Sequence, residues 1–363
     1  MRAFSISLLA IFGAASARPG GEVPQLPPPN VVLRIDAPDP AGPWKMVVTN
    51  NGDVPVRFAA DGRLLSFEMP KPEDPYEGSG KKKVTKTSPP VVCKLPPDLR
   101  PSGVIESRAV LLGPGSRYEE VVSPAFYCFS DASVKALVAG ATITAKLGFD
   151  VPKTNGRKNA TPSAPFIVEP AVLNAPVSGA KELVSEPFVL AAPGATVRTP
   201  NTTPPADDPG APRLELTGPA RVDTPNELTV GMTLKVKNVG GRPAALHIRR
   251  DNMMFDIDGP SGSAHCGQPA EQRGVPRDAF APLSPGASRT VDVWVGEMCS
   301  DAVFDRPGLY RVRPSLAFPI SSDFSTMRVW TETVTTREPV LVRVRQGRLP
   351  FYASPPQVFG APR

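Results

Sequence analysis

Two stretches of this chain echo one another at a fixed spacing, and the echo limits the folds open to it. Leu112 to Asp131 reads LGPGSRYEEVVSPAFYCFSD, and Leu283 to Asp301 reads LSPGASRTVDVWVGEMCSD. In each, the cysteine lies fourteen residues after the proline, Pro114 to Cys128 and Pro285 to Cys299. An ungapped match at a constant offset of 188 also runs from Trp44 to Met69 and from Met232 to Ile257. Along it Met46 meets Leu234, Asn50 meets Asn238, Gly52 meets Gly240, Pro55 meets Pro243 and Phe67 meets Phe255. Most matched positions are apolar or turn-forming, so the shared information concerns fold, and it predicts two copies of one module.

The module reads as β-structure. Val230, Met232, Leu234 and Val236 alternate with polar or small residues, the period of a strand with one buried face. Asn238-Val239-Gly240-Gly241 then supplies residues that tolerate a tight turn. Leu246 and Ile248 place a second strand on the core, Met253, Phe255 and Ile257 a third, and Val291, Val293 and Val295 continue the same period after the LSPG turn. The 47 prolines argue against long helices, because an interior proline removes a donor and clashes with the preceding turn. About seven short strands per copy predict an all-β chain of two tandem β-sandwich domains produced by internal duplication.

The expected boundaries are a signal peptide at 1–17, a proline-rich leader at 18–30, the first sandwich at 31–192, a proline-rich linker at 193–212, the second sandwich at 213–349 and a proline-rich tail at 350–363 with no assigned fold. Arg2, the apolar run from Ala3 to Ala14 and the small residues Ala15-Ser16-Ala17 have the pattern of an export signal cleaved near Ala17. The run is short of the roughly 20 residues that a spanning helix needs, and no later run reaches that length. The expected location is therefore secreted or extracytoplasmic. In such a compartment four cysteines imply disulfides with three open connectivities, among which the repeat selects Cys93 with Cys128 and Cys266 with Cys299.

At the Asn-x-Gly-x-x-Pro hairpins, Asn50 to Pro55 and Asn238 to Pro243, followed by the LxPG turn and the Pro307-Gly308-Leu309-Tyr310 strand start, the chain resembles immunoglobulin-like domains of exported bacterial proteins. Among them it is most similar to BsuPI-type proteinase-inhibitor domains and to the Ig-like propeptides of deuterolysin-type metallopeptidases. The resemblance implies an Ig-like sandwich and, from the first family, proteinase inhibition. It supplies no reactive-site motif to carry onto numbered residues. Val312 stands where antibody domains place a cysteine two residues after a corner tyrosine.

Chemistry-bearing groups are few. His247 alternates with Leu246 and Ile248 and is expected on the solvated face, while His265 is expected in a glycine-serine loop beside Cys266. No HExxH zinc motif is present. Ser178 to Lys181 spells SxxK without the partner motifs of penicillin-recognising enzymes, and Ser261 lacks the GxSxG setting of a nucleophile elbow. Asp256 and Asp258 lack the later acidic ligand of a calcium loop. The sequons at Asn159 and Asn201 are each followed by proline. No metal or cofactor is expected.

Lys81, Lys82, Lys83 and Lys86 form the densest charge cluster, in an insertion from Lys71 to Pro90 that the second copy lacks, and are the candidate contacts to an acidic partner. A net charge of +6 is modest, and no nucleic-acid recognition motif accompanies it. These readings point to a non-catalytic binding or structural protein whose partner is another protein or a cell-surface polymer. Inhibition of a proteinase through the Lys71–Pro90 loop is the alternative. An unrecognised enzyme site is a further alternative, which a buried carboxylate converging on His265 in a pocket would favour. Non-reducing peptide mapping is expected to recover the two within-copy cysteine pairs; a peptide joining Cys93 to Cys266 would redraw the boundaries.

Overall fold

The computed structural model describes residues 29–37, 39–40, 42–70, 89–150, 163–168, 182–191, 211–269, 275–299, 302–319 and 329–360. The signal segment, the leader up to residue 28, Lys81, Lys82, Lys83 and Lys86, the Ser178–Lys181 match, both sequons and residues 193–210 of the linker lie outside the described residues.

The chain is all-β, with only short helices among the described residues. The first half runs through β1 (Val31–Asp36), β2 (Trp44–Asn50), β3 (Val56–Ala59), β4 (Leu65–Met69), β5 (Val91–Lys94), β6 (Ala109–Leu112), β7 (Arg117–Val122), β8 (Thr142–Leu147), β9 (Phe166–Val168), β10 (Leu183–Val184) and β11 (Phe188–Val189). Helices α1 (Pro124–Tyr127) and α2 (Asp131–Ala136) follow β7. One sheet holds β1-β2-β7, a second β10-β8-β4-β5 with β11 also on β8, and β6-β3-β9 forms a third. Inward residues of these strands, including Trp44, Met46, Phe58, Phe67 and Leu147, make one buried cluster.

The second half runs through β12 (Leu214–Thr217), β13 (Arg221–Asn226), β14 (Gly231–Asn238), β15 (Ala244–Leu246), β16 (Met253–Gly259), β17 (Gly262–Cys266), β18 (Ala281–Leu283), β19 (Ser288–Trp294), helix α3 (Val295–Met298), β20 (Gly308–Leu316), β21 (Val334–Thr335) and β22 (Val340–Gln346). Its sheets repeat the pairings of the first half: β12-β14-β19 answers β1-β2-β7, β17-β16-β20 answers β5-β4-β8, and β15-β18 answers β3-β6. The parallel pairing of β13 with β22 has no counterpart among the described strands of the first half. A second buried cluster, centred on Phe255, Val312 and Val342, fills this half. The Tyr310 hydroxyl donates to the Arg306 carbonyl at 2.6 Å, the backward bond of a tyrosine corner.

Two local expectations are corrected. Val295 does not extend β19 but opens α3, whose single turn sets Cys299 beneath the sheet. His265 lies not in a loop but in β17, because Gly259 and Gly262 close a hairpin around Pro260-Ser261. The tail, to which the sequence assigns no fold, carries β23 (Val358–Phe359), which pairs with Tyr118 and Arg117 of β7, and Phe351 packs on the first cluster.

Both halves are locked in the same two ways. Cys93 on β5 bonds Cys128 just after α1, and Cys266 on β17 bonds Cys299 just after α3, so each disulfide joins the two main sheets. The buried Asn50 amide donates to the carbonyls of Val54 and Leu112 at 2.8 and 2.9 Å, while its oxygen accepts from Gly52 N–H. Asn238 repeats this, donating to Arg242 and Leu283 carbonyls at 2.8 Å each and accepting from Gly240 N–H. Replacing either asparagine strands two carbonyls in the interior. Asn50→Ala and Asn238→Ala are each expected to destabilise the protein by about 2 to 3 kcal/mol in urea unfolding. An unchanged midpoint would show that the amide does not hold the turn.

Candidate functional site

The C-terminal segment crosses from the second half to the first and builds a groove there. After β22 the chain is pinned to its own half, with Leu349 N–H donating to the Asp305 carbonyl and Arg306 Nη1 to the Pro350 carbonyl. It then reaches the first half, where Phe351 stacks on Phe126 with centroids 5.7 Å apart. The Arg108 guanidinium lies over the Tyr352 ring at 3.6 Å, and Arg63 covers Phe351 at 5.1 Å.

The phenol of Tyr352 ends in a socket supplied by the turn between β3 and β4 and by the inner face of β7. Its hydroxyl donates to Asp61 Oδ1 at 2.8 Å and accepts from Gly62 N–H at 2.9 Å. Asp61 is 2% exposed, and Arg63 grips both of its oxygens. The same Gly62 N–H also reaches Glu120 Oε2 at 2.9 Å. That oxygen accepts the Tyr118 hydroxyl at 2.6 Å, and Tyr118 in turn accepts from Arg108 Nη2. Arg108 is fixed by donating to the Ala60 and Ser354 carbonyls. Tyr127 donates to the Gly62 carbonyl at 2.8 Å, closing the floor.

The electrostatics follow from burial. Desolvation, then the nearby Glu120 charge, pushes the phenols of Tyr118, Tyr127 and Tyr352 well above their ordinary value, so at neutral pH they act as protonated donors. Burial also holds Glu120 above its ordinary carboxylate range; bonds from Tyr118 and Tyr352 and the Arg108 charge oppose this without cancelling it.

Beside the socket lies a groove of about 710 Å³. Its walls are Lys45, Glu119 and Val121 of the first half, Pro260 and Pro307 of the second, and the tail itself. Val121 is 67% exposed on the free side of β7.

The residues singled out in the sequence lie elsewhere. The cysteines form the two disulfides, and the lysine cluster is outside the described residues. His265 Nδ1 does meet a carboxylate, Asp256 at 2.7 Å, but the two side chains are 58% and 62% exposed on the outer face of the β16–β17 hairpin. Asp258 accepts from the Ser263 hydroxyl, and Ser261 shares a bond with the Tyr310 hydroxyl. His247 is half-buried, 3.2 Å from the Ala279 carbonyl and against Phe280. Among the described residues no group of three or more His, Cys, Asp or Glu converges as metal ligands would. The sequence signals that mark the site are Glu120, a charge in the inward register of Tyr118 and Val122, and the adjacent aromatics Phe351 and Tyr352.

No protein-family model matches the chain, and no curated protein matches it. A solved structure of a protein of unknown function from Porphyromonas gingivalis W83 is similar at 11% identity, over 88% of this chain and 100% of its own, with a TM-score of 0.18. The resemblance to BsuPI-type inhibitors and deuterolysin-type propeptides therefore rests on the quoted motifs alone.

Glu120 gives a pH test. Because its folded-state pKa lies above the ordinary 4.5, its contribution to stability is complete below that value and is lost as pH rises through the raised pKa. Glu120→Gln cannot ionise. The wild type is expected to lose urea stability relative to the variant as pH rises from about 4 to about 8. A difference that stays constant over this range would show that Glu120 ionises as freely folded as unfolded.

Proposed function

We propose that the chain is a non-catalytic binding protein of the extracytoplasmic space, and that its partner is a protein received in the groove beside β7. The observation that carries this reading is the composition of the groove: both halves and the C-terminal segment supply its walls, and Val121 stands exposed within it. Two disulfides suit an oxidising compartment. No helix among the described residues is long and apolar enough to cross a membrane.

The polar groups beside the groove favour holding over reacting. Asp61, Glu120 and Arg108 are saturated by internal bonds, and the phenols are neutral donors. The His265–Asp256 pair is solvated and lies on a different surface from the groove. The inhibitor alternative would use the Lys71–Pro90 insertion, most of which is outside the described residues.

The test is affinity capture with residues 18–363 from the native extracytoplasmic fraction, comparing wild type with Val121→Glu, a change on an exposed side chain. A captured protein is expected with wild type and is expected to be reduced about tenfold or more by the added carboxylate, which, even opposite Lys45, has to be desolvated in the contact. Equal recovery by both would remove the groove from the binding surface. Recovery of a protease unaffected by Val121→Glu would favour inhibition through the loop.

A further inference from the structure

We infer that the Tyr352 socket and the free side of β7 form a recognition site for an extended peptide strand carrying a tyrosine, and that residues 351–359 occupy it as a resident ligand. This rests on the reading of the groove as a binding site and names the chemistry of what enters it.

The socket is more polar than its scaffold requires. At the offset of 188, Asp61, Gly62 and Arg63 correspond to Arg249, Arg250 and Asp251. In the second half that turn carries an exposed Arg249–Asp251 pair, 49% and 63% exposed. The inward residue opposite Met46 is Glu120, whereas opposite the corresponding Leu234 it is Val291. The second half, with the same strand pairings, closes with valine there. The first half instead buries two carboxylates and Arg108 around a phenol, a costly arrangement unless each charge is paired.

The socket is also held by groups other than the tail. Arg63 fixes Asp61, Tyr118 and Gly62 N–H fix Glu120, and the Ala60 carbonyl fixes Arg108. Such a site meets an incoming phenol in nearly its final geometry, which lowers the ordering cost of binding.

The resident segment fills the edge of β7 only in part. Val358 and Phe359 register against Tyr118 and Arg117, and no further residue of β7 is in register with the tail. Continuing that antiparallel register places Pro356 and Pro355 opposite Glu120 and Val121. Proline has no N–H to give a ladder, so the tail cannot complete the pairing. A strand with a tyrosine for the socket and ordinary residues at the two proline positions can form more of the ladder than the resident does, the mode of recognition called β-augmentation.

The probes are synthetic peptides of residues 350–360: the native sequence, a form with Pro355→Thr and Pro356→Thr, and that form with Tyr352→Phe added. Binding to the full chain is read by calorimetry. The proline-free peptide is expected to bind about tenfold tighter than the native one, and its Tyr352→Phe form about tenfold weaker again, each about one buried hydrogen bond's worth. A full-length Tyr352→Ala chain, its resident anchor cut back, is expected to bind the proline-free peptide at least about tenfold tighter than wild type, because more of the population has an open socket.

Equal binding by the tyrosine and phenylalanine peptides would overturn phenol recognition. Equal binding by wild-type and Tyr352→Ala chains of native circular dichroism would overturn residency of the tail. If Tyr352→Ala loses the fold, a Tyr352→Phe chain keeps the test, with a smaller gain expected in the same direction and no gain overturning the inference. Peptide failure with partner capture still sensitive to Val121→Glu removes the tyrosine socket alone. Tight peptide binding with capture insensitive to that change removes only the groove's proposed role in partner binding.

Discussion

The hydroxyl of Tyr352, bonded at once to Asp61 and to Gly62 N–H, fastens the C-terminal segment to the β3–β4 turn of the first half. The contact requires an acceptor inside the protein, and a carboxylate there is tolerated because the Arg63 guanidinium and Arg63 N–H donate to it. Phe351, one residue earlier, stacks on Phe126 of α1. The carbonyl of the same Phe126 accepts from Arg343 of β22 at 3.0 Å. The tail, α1 and the last long strand therefore meet at one point, next to Phe351 in the groove wall.

Arg343 does for the two halves what Tyr352 does for the tail. Its side chain is 7% exposed, grips Asp223 through two bonds and lies 4.3 Å from the Phe129 ring centroid. A planar guanidinium can do all of this together, whereas an ammonium could not hold the fork and the ring at once. Around it, Arg221 pairs with Asp131, and Arg345 with Asp98. These bonds are directional, so they fix an orientation rather than merely covering area. That orientation brings Pro260 and Pro307 to the same groove as Lys45 and Val121.

What could be read from the sequence was what is local or periodic. The matched segments fall on matching strands: Trp44–Asn50 is β2 and residues 232–238 lie in β14, while Leu65–Met69 is β4 and residues 253–257 lie in β16. The cysteine pairing was legible because the spacing repeats. Val295 was misplaced because a period of two cannot distinguish the last residue of a strand from the first of a one-turn helix. The tail was illegible for a different reason. Its strand is two residues long, rich in proline nearby, and paired with a partner far earlier in the chain, so no local pattern announces it. Glu120 has no local signal of its own: it follows Glu119 directly, and only the strand's register separates Glu119, which faces Lys45 and Arg117 outside, from Glu120, which faces inward beside Tyr118.

Around the socket the halves differ at a turn of three residues as well as at Glu120, which stands where the second half has Val291. Gly62–Leu64 and Arg250–Asn252 are the same 3-10 turn at the same place. In the second half a long side chain stands at Arg250. In the first, a Cβ at position 62 would lie 2.8 Å from Glu120 Oε1. Glycine is what allows the carboxylate to approach the backbone, and its buried N–H then serves Glu120 and Tyr352 together. A Cβ at that position would push the Glu120 carboxylate back and weaken its bond from the Gly62 amide. The polar chemistry of the site thus needs both a carboxylate on the inner face of β7 and a turn residue without a side chain beside it.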